Sequence, residues 1–190
     1  MIFANNSIDT KKIRKNEILY FFIRLLILVS IWFVVYTLIL RPGRTIDRPV
    51  TNFITSAVAK AINLTSINNE HLDWREDYLN HDRNFLIKNG VDIFGIYDVC
   101  NGIDLMFIYV GIIVLLPASF KRKLTFSVFG ILAIILANII RVYALYYIYF
   151  YYRPAFEISH HYVFTILIYI LIFYGWLLFI KPKKINEKRS

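Results

Sequence analysis

The chain has 190 residues and a mass of 22.5 kDa, and its composition excludes an ordinary soluble domain. Hydrophobic residues make up 58% and aromatics 17%, against roughly 45–50% apolar content in soluble proteins. The net charge of +9 is bunched into short clusters, and the lone cysteine, Cys100, excludes an intrachain disulfide, a CxxC redox pair and a four-cysteine zinc site.

The first long apolar run is Ile18 to Leu40, interrupted only by Arg24. It exceeds a signal-peptide core and lacks a small-residue cleavage site, so it is expected to remain as an anchor. Residues 41–99 follow as an expected extracytoplasmic segment. Within it, Val50 to Leu64 mixes apolar and small polar residues at near-helical spacing, which predicts a helix lying in the membrane interface. Asn69 to Asn84 is polar and is expected to be solvated. Phe85 to Lys88 and Val91 to Tyr97 flank Asn89-Gly90, the strongest short-range hairpin signal.

Three further apolar runs come next: Ile103 to Phe120 with Asp104 near its start, Leu124 to Tyr152 with Arg141 as its only charge, and the uncharged Tyr162 to Ile180. A bilayer core of about 30 Å needs roughly 20 helical residues. The expected fold is therefore an all-α integral membrane protein, one domain over 1–190, with about four transmembrane helices. Tyr143, Tyr146, Tyr147, Tyr149, Phe150, Tyr151 and Tyr152 crowd the end of the third run, where headgroups would meet them, and Pro154 is expected to stop that helix.

Lys11, Lys12, Arg14 and Lys15 precede the first span, Lys121, Arg122 and Lys123 separate the second and third, and Lys181, Lys183, Lys184, Lys188 and Arg189 follow the fourth. With four spans all three clusters share one side, which the positive-inside rule makes cytoplasmic, together with both termini. The clusters read as topology anchors, and no nucleic-acid partner is expected.

Few residues in this pattern can do chemistry. Arg141 is a cation inside a span, a costly placement that usually faces a protein interior or a cavity. Cys100 stands at a loop-to-helix junction, where free N–H groups and the helix dipole favour a thiolate. Gly102 permits close backbone approach, and Asp104 is one turn further along. His160 and His161 open the fourth run, while His71 and His81 fall in the polar outer segment. Cys100, Arg141 and the His160/His161 pair come from three spans, and the expected topology brings them to one membrane face. An intramembrane Arg can also be structural, paired with Asp104.

Cys100-Asn101-Gly102, then Asn138-x-x-Arg141 late in the next span, then a His opening the following one, resemble the exosortase/archaeosortase family, and within it the short bacterial, Bacteroidetes-type members. The resemblance covers about Tyr97 to Ile180, with 100–180 as a catalytic helical core; Asn101 stands where the family often has Ser or Ala. It implies a membrane cysteine transpeptidase or protease in the bacterial cytoplasmic membrane, its site on the extracytoplasmic side, with no metal and no cofactor. Its substrates would be exported proteins ending in a short motif, a transmembrane helix and a basic tail. On this reading Cys100 is the nucleophile, Arg141 lowers the thiol pKa and steadies the oxyanion, and His160 is the acid/base with His161 as its alternate. Asn138 orients Arg141, and Gly102 and Asp104 support the site. Two other readings stay open: a non-catalytic membrane scaffold or assembly factor, for which a silent Cys100→Ser would speak, and a transporter.

Overall fold

A computed structural model describes residues 6–65, 71–77 and 82–181; side chains are described from residue 17 onward. The termini beyond these bounds, His81, and most of the basic residues expected to anchor the two ends lie outside the described residues or side chains.

Apolar runs without periodicity become helices whose sides face lipid, because only intrahelical bonding satisfies the backbone in hydrocarbon. Helix α1 (Asn6–Val35) ends in a π turn over Tyr36–Leu40, α4 spans Phe120–Tyr151, and α5 (Arg153–Ile158) runs through a π turn at Ser159–Val163 into α6 (Phe164–Ile180). Three stretches are long and apolar enough to cross a membrane: Glu17–Leu40, Phe120–Tyr151 and Arg153–Ile180. The chain is thus a multi-pass membrane protein.

The second expected span is shorter than its apolar run. Helix α3 covers only Ile103–Leu115, 13 residues, or about 20 Å, less than the hydrocarbon thickness. Leu116 leaves the helix with ψ of 143° because it precedes Pro117, whose ring disfavours the helical conformation for the residue before it. Lys123 Nζ then donates to the Val114 carbonyl at 2.7 Å, and Arg122 Nη2 donates to the carbonyls of Phe179 and Lys181 at 2.6 Å each. Two members of that basic cluster therefore cap the C-terminal ends of α3 and α6, where cations are favoured. Pro154 also acts differently from expectation: the break is confined to Tyr152, and the proline opens α5, where its missing N–H costs nothing.

The small hairpin expected in the outer segment of this mostly helical chain gains one more strand, making a three-stranded antiparallel sheet in the order β1 (Leu72–Glu76), β2 (Arg83–Lys88), β3 (Val91–Tyr97). The Asn89-Gly90 hairpin is present, with φ of 51° and 79°, the positive pair a tight primed turn demands. Strand β1 falls in the stretch expected to be solvated; Leu72 and Trp74 alternate with Asp73 and Arg75, so one face is apolar.

Helix α2 (Asp47–Thr65) does not use its apolar side on the membrane. Ile54, Val58, Ala59 and Ile62 are buried with Leu72, Leu86, Ile96, Val142 and Tyr146 in an outer core between α2, the sheet and the end of α4. Several of the crowded tyrosines serve this layer too: Phe94 meets Tyr146 and Tyr149 edge-on at 6.0 and 5.6 Å, and Tyr143 donates to Thr65 Oγ1 at 2.9 Å. A second core, of Tyr109, Ile113, Ile134, Ile168, Ile172 and Phe179, joins α3, α4 and α6 within the membrane. Helix α4 runs through both cores, and Asn138 and Arg141 sit on it between them. Arg141 is 21 residues beyond Phe120, about 32 Å along the axis, a distance close to the thickness of a bilayer core.

Candidate active site

Cys100 closes a short 3-10 turn, Asp98–Cys100, between β3 and α3. Both of its polar neighbours are fastened to the N-terminal end of α2 and the turn before it. Arg44 grips the Asp98 carboxylate through Nε at 2.6 Å and Nη2 at 2.7 Å, with side-chain exposures of only 8% and 12%. Thr51 Oγ1 donates to the same carboxylate at 2.7 Å. Asn101 Nδ2 donates to Asp47 Oδ1 at 2.9 Å, and Asn101 Oδ1 accepts from the Ile103 N–H at 2.9 Å, an Asx turn that leads into α3. Tyr36 adds a hydroxyl to Asp47 Oδ1 at 3.0 Å. The paired charges and filled acceptors make this buried cluster a rigid seat for the turn.

This seat was missed in the sequence, although a signal was present. Asp47, Thr51 and Thr55 recur every four residues and all three are buried. That is a polar stripe on the inward face of a helix, the inverse of an ordinary amphipathic pattern.

Gly102 adopts φ of +80°, and a Cβ there would overlap the Asn138 amide. Asn138 is fully buried; its Nδ2 donates to the Ile134 carbonyl at 3.1 Å, while Oδ1 is buried with no partner. Asn138 thus supports the turn through Gly102, and among the described residues it makes no bond to Arg141. Asp104 accepts from Trp32 Nε1 at 3.0 Å, tying α3 to α1, and no described carboxylate pairs with Arg141.

The structure brings together Cys100, Arg141 and His160. Cys100 Sγ is 3.6 Å from His160 Nε2 and 4.0 Å from Arg141 Nη2, within reach for sulfur. Arg141 Nε is buried without a partner. His160 stacks on Phe156, with ring centroids 5.7 Å apart and planes 7° from parallel. His161 also lines this space but is exposed and pairs with Glu157 at 3.2 Å, and no contact with Cys100 is seen among the described residues. The π turn Ser159–Val163 carries both histidines, and such turns recur at functional sites. His71 is exposed beside β1. Among the described residues no cluster of three His, Cys, Asp or Glu is placed to hold a metal ion.

The three side chains line a mostly apolar cavity of about 270 Å³ together with Phe94 to Tyr97, Val142, Leu145 and Phe156, with Glu157 and His161 also on its lining. Burial pushes the Cys100 thiol above its ordinary range, and the Arg141 cation pulls the other way without prevailing. The arrangement is suited to a neutral thiol that loses its proton to an adjacent imidazole as it attacks, with a fixed cation beside the developing charge.

A family model described as a transmembrane exosortase matches residues 18–182. No curated protein and no solved structure matches the chain.

Proposed function

The chain belongs to the transmembrane exosortase family, a family of membrane sorting-related transpeptidases, and on that premise we propose that it is a cysteine transpeptidase or protease. It cleaves C-terminal sorting signals of exported proteins at the extracytoplasmic face of the bacterial cytoplasmic membrane. The observation that carries this reading is the approach of Cys100 Sγ to His160 Nε2 and Arg141 Nη2 at 3.6 and 4.0 Å. Residues 41, 60 and 19 positions apart in the chain share one cavity, and each has a use there.

In the first half-reaction His160 Nε2 takes the Cys100 proton while sulfur bonds to the scissile carbonyl carbon. Negative charge moves to the carbonyl oxygen, where the Arg141 guanidinium stabilises it in a poorly hydrated setting. The intermediate collapses with cleavage of the C–N bond, and the imidazolium gives its proton to the leaving amine, which departs with the substrate's transmembrane helix. A thioester remains on Cys100. An incoming amine or water then loses a proton to His160, attacks the thioester and releases the thiol. Four crossings, with α3 and its flanks as the second, put the basic clusters on the cytoplasmic side and this cavity on the other.

The test is Cys100→Ala in cells that also express an exported protein ending in a motif, a transmembrane helix and a basic tail. The variant is expected to insert and accumulate normally while the substrate stays uncut, and the parent enzyme should yield a hydroxylamine-sensitive substrate adduct at Cys100. Normal cutting by the variant refutes the assignment.

A further inference from the structure

Strand β3 pairs with β2 from Val91 to Tyr97, and among the described residues the order β1-β2-β3 leaves its other edge without a strand. That edge faces the Cys100 cavity. Four successive residues, Phe94, Gly95, Ile96 and Tyr97, line it. Side chains of a strand alternate between its two faces, so a run of four successive lining residues places the strand's edge, main chain included, beside the cavity. Ile96 is buried in the outer core, and Phe94 packs between that core and the cavity on Tyr146, Tyr149 and Phe156. What the cavity meets along β3 is the strand's unpaired edge.

We infer that this free edge is the docking strand for the substrate, and that the extended segment carrying the scissile bond pairs with β3 as a fourth strand. The inference rests on the function proposed above and adds the mode of recognition. The edge leads directly to the nucleophile, since Tyr97 begins the turn that Cys100 closes. A peptide laid along it carries its main chain to Sγ, with the carbonyl between Cys100 and Arg141. Main-chain pairing supplies affinity independent of sequence, and alternate side chains are read by the opposite wall. Val142, Leu145 and Phe156 form the apolar part of that lining, with Glu157 and His161 beside them, so the side chain turned toward α4 should be apolar and the next should face outward. A lipid tail would leave the edge groups unmet, since it offers no hydrogen-bonding partner. Among the described residues, no hydrogen bond is made from the outer edge of Phe94 to Tyr97 to another element.

The experiment uses the full chain in nanodiscs, an N-acetylated apolar tripeptide aldehyde, versions of it N-methylated at one amide at a time, and iodoacetamide. The Cys100 thiol adds across the aldehyde, a C–S bond forming and the proton passing to oxygen, and the resulting hemithioacetal blocks alkylation by iodoacetamide. Two results are expected. N-methylation of alternate amides weakens protection about tenfold or more by removing a ladder bond, while methylation of the intervening amides has little effect. Captured peptide also slows amide hydrogen exchange within Phe94 to Tyr97 and leaves Leu72 to Glu76, on the far edge, unchanged. Protection that ignores the methylation pattern with unaltered exchange in β3 overturns the docking strand and leaves the cysteine mechanism standing. So does a Cys100 that reacts with iodoacetamide but not with any peptide aldehyde. A Cys100 inert to both reagents overturns the proposed function and this inference with it.

Discussion

Gly102→Ala tests how the nucleophile is held. The glycine has φ of +80° and lies against the buried Asn138 amide. Left-handed backbone costs an alanine about 1 kcal/mol. The new methyl also needs the space of Asn138, which must give up its 3.1 Å bond to the Ile134 carbonyl, at about 1–2 kcal/mol for a buried donor left unpaired. The expected total of about 2–3 kcal/mol corresponds to a melting point lower by roughly 4–12 °C for a chain of this size. The assay suits this protein, because unfolding of detergent-solubilised enzyme can be followed with a thiol-reactive dye that has a single target, Cys100. Substrate cutting should fall roughly ten- to a hundredfold, since Sγ is displaced by a fraction of an ångström from His160 and Arg141. Adding Asn138→Ala removes the overlap but not the backbone strain. The double variant should therefore be less destabilised than the sum of the single ones by about 1 kcal/mol. Strict additivity, or a Gly102→Ala protein with parental melting and cutting, refutes the account of this contact.

Three further outcomes follow from the geometry. Because burial holds the Cys100 thiol above its ordinary range while Arg141 opposes the shift, the alkylation rate should keep climbing with pH beyond the ordinary thiol range, and Arg141→Gln should move that rise to still higher pH; a faster reaction at pH 8 in the variant contradicts the sign. Removing one partner of the buried Arg44–Asp98 pair, by Arg44→Gln or Asp98→Asn, should lower stability by about 3–5 kcal/mol, with the double replacement milder than either; equal effects in all three, read by thermal melting, would mean the pair is not a unit. His160→Ala should abolish substrate cutting, whereas His161→Ala, which loses an exposed pairing with Glu157 and an edge contact with the His160 ring, should retain at least half of it; the reverse order would reassign the base.

Much of the site was legible from one dimension, but not its fine structure. Cys100, Arg141 and a histidine stood out because a bilayer makes polar residues rare, so each one left in an apolar run is conspicuous. The choice between His160 and His161 was not legible, since neighbouring helical residues differ by about 100° and both lie on a π turn with no sequence signature of its own. Asp104 read as a member of the site, one turn from Cys100, yet it faces Trp32 on α1. Which neighbour a helix face meets is a property of packing, not of spacing.

The sequence by itself determined that the chain lives in a membrane, where its apolar stretches run, that Asn89-Gly90 turns a hairpin and that one cysteine is available. All of these follow from local composition and backbone preference. The tertiary structure decided the rest. Pro117 shortened α3 to 13 residues; the apolar face of α2 went to the sheet instead of the interface; and Arg44, Asp47, Thr51 and Asn101 closed a polar seat around the turn that carries Cys100. The physical reason is that buried polar groups must find partners, and their partners here lie 47 to 54 residues away. Hydrophobic runs report a residue's solvent, whereas such pairings depend on which elements the fold brings face to face.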